Sequence, residues 1–472
     1  MGEMGEQISR REFLDSSSRT VAGVAAGLAV GGLATAARGQ PKPAAVSPNE
    51  KVIVGLIGCG GMGNYNLDDF MRAEEVAVAA VCDVDAAHLK STADKVEKKY
   101  GRRPREHKDF RRLIDMKDID VVIIGTPDHW HAIPMIYACM AGKDVYVEKP
   151  VSHNIAEGRA MVNAARKYRR IVQVGMQQRS GEHFQKAVEL VKSGVLGDIS
   201  YTRTWNLSNE APDGKGNPPD GDPPPGVDYD FWLGPAPKRR FNPNRFHHNF
   251  RWFFDYAAGM VGDWNVHVQD VVHWAMGVDA PVSVSAVGGK YVLRDNRDTP
   301  DTLDITYDFV TPAGKRFIQT YSLSFGCATP FNGHGYGTQF FGSNGSLFVD
   351  RGGWEILPDT KEAPDPNDPK KKIQVQRTEK LSGGGSDQHW PHVRNFLACV
   401  KSRKVEDLAV DIEVGHKTAA ACHLGNIAWK VGRRIYWDAK REIITDKDGR
   451  PDREANKLLT REYRAPYTLP KA

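Results

Sequence analysis

Lys149 and the pair Asp263 and His267 are the residues on which redox chemistry at a hydroxyl group could rest. A lysine ammonium can hydrogen-bond a substrate oxygen and steady the negative charge that develops there during oxidation. A carboxylate beside an imidazole orients the ring and stabilises its protonated form, which suits a base accepting an alcohol proton. Taken singly these residues are ordinary, since a lysine often caps a surface strand and an Asp four positions before a His is often a helix contact. Their meaning depends on a glycine turn far upstream, Gly58-Cys59-Gly60-Gly61-Met62-Gly63.

That turn follows an apolar run, Val52 to Ile57, and leads into a helical stretch, the context a dinucleotide-binding turn requires. Gly58 permits the tight bend, Gly60 lets the backbone approach a pyrophosphate, and Gly63 allows the helix to pack closely on the strand. Gly61 and Met62 open the helix, whose free N–H groups would face the phosphates. Asp83 ends the next strand, where its carboxylate can accept from both ribose hydroxyls and repel a 2′-phosphate, so NAD is expected over NADP. Ligands in such sheets bind beyond the carboxyl ends of the strands. Thr126, Pro127, His129, His131, Glu148, Lys149 and Gln177 follow strand ends and are expected on the cofactor side.

The elements that must position these residues fall into two groups. From Lys51 to about residue 175, buried strands at Val52 to Ile57, Val76 to Cys82, Val121 to Gly125, Asp144 to Val147 and Ile171 to Val174 alternate with helical stretches. This is the pattern of an α/β, doubly wound Rossmann domain. From 176 to 472, strands of alternating polarity at Asp198 to Asn206, Val282 to Leu293, Leu303 to Phe309, Lys315 to Leu323 and Tyr336 to Phe341 predict an α+β domain. Its large, open sheet would be mostly antiparallel. Glu210 to Tyr229, rich in Pro, Gly and Asp, and Asp359 to Lys372, rich in Pro and charged residues, are expected as surface loops. The first could serve as an insertion, a lid or a subunit contact.

The chain of 472 residues is 40% hydrophobic and 26% charged, ample for two cores. Its formal charge of +5 is scattered, so nucleic acid is not expected as a partner. Residues 1–38 read as a twin-arginine export signal, with Ser9-Arg10-Arg11-Glu12-Phe13-Leu14 before a small-residue apolar stretch, and 39–50 as a linker. No later segment has the length of a membrane span. The expected location is therefore periplasmic or otherwise exported. Six cysteines show no metal spacing, and mostly free, buried thiols are expected, with no metal.

The glycine turn, Thr126-Pro127-Asp128-His129, Ala141-Gly142-Lys143 followed by Glu148-Lys149-Pro150, and the Asp263/His267 pair together resemble the Gfo/Idh/MocA oxidoreductases. The resemblance implies that Lys149, Asp263 and His267 are catalytic and that NAD is the cofactor. It also implies that the second domain's sheet meets the nicotinamide and forms a homo-oligomer surface, in a dimer or tetramer. Sugar pockets combine planar hydrogen-bonding groups with aromatic faces, which makes Arg179, Asn206, His247, Arg251 and Tyr256 substrate-binding candidates. The leading expectation is an exported oxidoreductase with tightly held NAD acting on a sugar, polyol or glycoside. A glycosidase working by transient oxidation and elimination is the alternative, and a non-catalytic NAD- and sugar-binding protein the third reading.

Overall fold

The computed structural model describes residues 51–471, apart from 328 and 332. The expected export signal and linker lie outside the described residues.

Continuous apolar runs build the first sheet because both of its faces are covered. Strands β1 (Val52–Ile57), β2 (Val76–Cys82), β3 (Arg105–His107), β4 (Val121–Ile124), β5 (Asp144–Val147) and β6 (Val172–Val174) lie in the order β3-β2-β1-β4-β5-β6, all parallel. The order reverses between β1 and β4, which opens a crevice at their carboxyl ends. Strand register then sets the level at which the loops leave the sheet. Ile57 pairs with Cys82 and Ile124, and Ile124 with Val147, so Gly58, Asp83, Gly125 and Glu148 emerge side by side.

The second sheet has ten strands and one face against helices. Its order is β16-β13-β12-β11-β7-β10-β9-β8-β17-β18. The central strands are β7 (Ile199–Leu207), β8 (Ser283–Gly289), β9 (Thr302–Val310), β10 (Arg316–Ser324) and β11 (Tyr336–Gly342). The flanking strands are β12 (Gly345–Asp350), β13 (Gly353–Pro358), β16 (Ser382–Gly384), β17 (Ile435–Asp438) and β18 (Ile443–Thr445). Only β7 and β10 run parallel within it. Alternate residues of β9 and β10 are buried, as their alternating polarity predicts. Helices Val266–Met276 and Ile412–Val431 cover the buried face.

Three features depart from the sequence reading or refine it. The segment expected as a loop at Asp359 to Lys372 forms a hairpin, β14 (Thr360–Asp365) with β15 (Asp368–Gln376). Its residues are mostly exposed, so it has no apolar alternation by which to be read as strands. The loop at Glu210 to Tyr229 is irregular as expected, but it is tied to the first domain: Ala86 N–H donates to Gly226 O at 3.1 Å and Asp228 N–H to Val84 O at 2.9 Å. Helix His389–Ser402 returns to the first domain, where Val393, Phe396 and Leu397 pack with Leu56, Phe70 and Tyr146. Gln173 donates to His392 O at 2.8 Å beneath it. A boundary near residue 175 therefore separates the sheets but not the helical layers. Among the described residues, no helix is long and apolar enough to cross a membrane, and all six cysteines are free, with only Cys327 exposed.

Buried imidazoles tie the elements together, chiefly through backbone carbonyls. His129 meets Trp232 O at 2.9 Å, His392 meets Val174 O at 3.0 Å, and His423 meets Ser152 O at 3.0 Å. Burial pushes these rings down, His129 to about 3 and His131, His273, His392 and His423 to about 4. In the unfolded chain each would take a proton near its ordinary value of about 6.5. Their contribution to stability is thus fully present above that value and is lost as pH falls toward 4, by up to about 1.4 kcal/mol per pH unit for each ring that stays neutral in the fold. The thermal unfolding midpoint should fall steeply between pH 6.5 and 4.5; a midpoint flat across that window would contradict this packing.

Candidate active site

The glycine turn compresses three backbones into one point. Gly58 has φ +90°, and a methyl there would lie 2.7 Å from Thr126 N. A methyl on Gly63 would lie 1.8 Å from Gly58 O, and one on Gly125 would lie 2.6 Å from Gly63 Cα. At Gly60 and Gly61 a methyl would meet no atom within 4 Å, because both face open space. Helix Gly61–Phe70 starts there with no side-chain cap, leaving its first N–H groups for a ligand. Asp83 is held at the end of β2 by Cys59 N–H at 2.6 Å and Asp85 N–H at 2.8 Å, each oxygen keeping a lone pair free. Gly58, Gly60, Gly61, Met62, Asp83, Thr126, Pro127, Glu148 and Lys149 all line one cavity of about 380 Å³. The vacant Cβ space, the uncapped helix and the paired acceptors fit a dinucleotide.

At the other end of this cavity the two domains meet through charge. Lys149 Nζ donates to Asp263 O at 2.7 Å and Asp263 Oδ1 at 2.8 Å, and the Lys149-Pro150 peptide is cis. Arg251 Nε stands 3.1 Å from Asp263 Oδ2. Burial works against the Asp263 charge, but Lys149 and Arg251 outweigh it and hold its carboxyl well below the usual range. The helical spacing of Asp263 and His267 is not what the sequence predicted: Val261–Asn265 is a π-helical turn that then runs into helix Val266–Met276. Such turns recur at functional sites. This one aims the Asp263 carboxylate at Lys149 and Arg251, so Asp263 positions the lysine and not the imidazole.

His267 is buried and does not itself line this cavity; its ring lies edge-on to Trp264 at 5.8 Å, one turn beyond the cavity-lining Asp263. Its Nδ1 has no hydrogen-bond partner among the described residues. Burial, then the charges of Lys149 and Arg351, push its pKa well below the ordinary value, so the ring is neutral at pH 7. Asp128 lies in the cavity wall and was not chosen from sequence, although it sits within the Thr126-Pro127-Asp128 run. Burial and the nearby Asp263 charge push its carboxyl up.

The remaining candidates divide. Glu148 is anchored by Asn66 at 2.8 Å, and Gln177 donates to Tyr146 Oη at 3.2 Å and Glu148 Oε1 at 3.4 Å, so Gln177 supports the wall from behind. His131 likewise sits behind it, between Pro150 O at 2.7 Å and Thr126 O at 2.9 Å. His129 is a core residue, packed on Trp232 and Tyr256 with centroids 5.3 Å away. Arg251 faces the cavity as expected. His247 also faces it, but at the Asp83 end, where it meets Asp85 Oδ2 at 2.9 Å and lies 4.3 Å from the His88 ring. Three of the expected sugar-binding residues are turned elsewhere: Tyr256 is fully buried in an aromatic cluster, Arg179 pairs with Asp270 at 2.7 Å, and Asn206 sits in β7 off the cavity wall. Asp85, His88 and His247 bring possible metal-ligating atoms within 4.8 Å of one another; here Asp85 caps helix Ala86–Tyr100 and accepts from His247.

Comparison with known proteins agrees with this geometry. Residues 52–176 match the Gfo/Idh/MocA oxidoreductase family's NAD-binding Rossmann fold, and 184–308 match its C-terminal alpha/beta domain. A glycosyl hydrolase family 109 protein of Shewanella baltica (strain OS155) is 30% identical over 207 residues, 41% of this chain and 45% of that protein. The uncharacterized oxidoreductase YrbE of Bacillus subtilis is 29% identical over 163 residues, 34% of this chain and 46% of that one. The chain thus spans a little under half the length of these curated relatives. Two solved structures share the fold over 82% of this chain and 99% of theirs, each with a TM-score of 0.58. They are the WlbA dehydrogenase from Bordetella pertussis in complex with NADH and UDP-GlcNAcA, 16% identical, and the aldose-aldose oxidoreductase from Caulobacter crescentus, 18% identical. With both of its domains matched and the glycine turn, the Rossmann sheet and the open second sheet in place, the chain belongs to the Gfo/Idh/MocA oxidoreductase family.

Proposed function

We propose that this protein is an NAD-dependent oxidoreductase acting on a hydroxyl of a sugar, polyol or glycoside, with its cofactor held through the reaction cycle. The observation that carries the reading is the Lys149–Asp263 pair in the wall of the same cavity as the glycine turn and Asp83. NAD, when bound, supplies the hydride acceptor. The open backbone at Gly60 and Gly61 would hold its pyrophosphate and Asp83 its ribose. Asp263, itself paired with Arg251, keeps the Lys149 ammonium in place, leaving its remaining N–H to a substrate oxygen as charge builds there. His267, held neutral, takes the hydroxyl proton. A protein that only bound NAD and a sugar would not need this set, which argues against the non-catalytic reading.

A second reading is supported by the relatives named as glycosyl hydrolases of family 109. Transient oxidation acidifies a neighbouring C–H, elimination expels the aglycone, and water and the hydride are then restored. The same residues would serve, and the cofactor would end as it began. The twin-arginine pattern at Arg10 and Arg11 supports export with the cofactor already loaded. Gly226 and Asp228, bonded beside Asp83 to Val84 and Ala86, would help retain it outside the cytoplasm. The open face of the ten-stranded sheet exposes Val287 and Ile318, which supports a subunit contact in a homodimer or homotetramer.

Protein purified without added nucleotide should release about one NAD per chain on denaturation, read by chromatography of the supernatant; a folded, cofactor-free preparation would overturn the carried-cofactor reading. His267→Ala should lower kcat by about 10²- to 10⁴-fold while sparing the NAD content. Loss of cofactor in step with activity would instead make His267 a structural residue.

A further inference from the structure

The turn between β12 and β13 carries Arg351 to the π-helical turn outside the cofactor cavity, where its guanidinium lies 4.8 Å from the centre of the Trp264 ring. Trp264 follows Asp263 on the π-helical turn and packs on both His267, at 5.8 Å, and Tyr336, at 5.0 Å. Arg351 is thus seated on the same turn that holds Asp263. It is half-buried, its Nε has no hydrogen-bond partner, and it forms no ion pair among the described residues. The acids whose charge reaches it are engaged elsewhere: Glu148 accepts from Asn66 and Gln177, and Asp263 from Lys149. A partly desolvated cation without a counter-ion is costly, and that cost falls when an anion arrives. The planar guanidinium, with one face on an indole, presents its donors along its edge, the geometry that grips an oxyanion through two bonds.

We propose that Arg351 receives an anionic substituent of the substrate, so that the site selects sugar acids over neutral sugars. The inference rests on the oxidoreductase reading above and names its substrate class. A carboxylate on the sugar ring and a phosphate ester share the required chemistry. Lys149 and Arg251 each have an ion pair with Asp263, whereas Arg351 has none among the described residues.

The test uses the holoenzyme with its nicotinamide oxidised and matched pairs of probes, glucose with glucuronate and galactose with galacturonate, plus glucose 6-phosphate. Reduction of the bound nicotinamide is followed by absorbance, and binding by calorimetry. Wild type should favour the acidic member of a pair by about tenfold or more in both kcat/KM and affinity. Arg351→Gln, which removes the charge, should collapse that ratio, and Arg351→Lys should restore part of it. A stronger response to glucose 6-phosphate than to either uronate would assign the anion as a phosphate ester. Equal or better use of the neutral sugars by wild type would overturn the proposal, as would an unchanged ratio in Arg351→Gln or loss of NAD from that variant. If no sugar, neutral or acidic, reduces the nicotinamide, the oxidoreductase reading falls with it.

Discussion

The structure turns on one ion pair that spans two domains. Lys149 stands at the end of β5 in the parallel sheet and Asp263 on a π-helical turn before the helix under the second sheet, and they meet at 2.8 Å. Burial would make either charge expensive alone. Arg251 supplies a second cation to Asp263, so the lysine is steered without being fully neutralised. Everything that fixes the two domains against each other therefore bears on where the ammonium points. Helix His389–Ser402 packed on the first domain, Arg461 paired with Glu157 at 2.8 Å, and the Gly226 to Asp228 segment bonded beside Asp83 are the main fixtures.

The site is also graded in charge along its length. At the glycine turn it offers backbone N–H groups and no side chain, a surface suited to phosphates. At the far end, the cations Lys149 and Arg251 hold the Asp263 carboxyl down, while burial pushes the acids Asp128 and Glu148 up. The same positive surroundings help keep His267 neutral. Under the proposed reading, that field stabilises the oxyanion that loss of the hydroxyl proton creates.

Most of this was legible in the residues. The first sheet could be read strand by strand because buried parallel strands are unbroken apolar runs; β3, with the residues Arg105, Glu106 and His107, has no such signal at a sheet edge. The glycines and Asp83 were found because backbone geometry demands those residue types at those spacings. Tyr256, Arg179 and His129 were misplaced because chemical type does not reveal direction, and each spends its polar or aromatic surface on packing or on a buried pair. The π-helical turn was hidden because Val261 to Asn265 is compatible with an ordinary helix, and the tertiary pull of Lys149 and Arg251 on Asp263 decides otherwise. Asp128 and Arg351 could be recognised only once burial was known, since their significance is electrostatic.

The central claim is that Lys149, placed by Asp263, directs hydride onto a nicotinamide that the protein carries. The most direct measurement is isotopic: expose holoenzyme, with no added nucleotide, to a substrate deuterated at its ring C–H positions, denature it, and weigh the released cofactor by mass spectrometry. The account predicts deuterium in the nicotinamide from the wild type and none from Lys149→Met with equal cofactor content. Product formation by wild type with a nicotinamide that never acquires deuterium would contradict it.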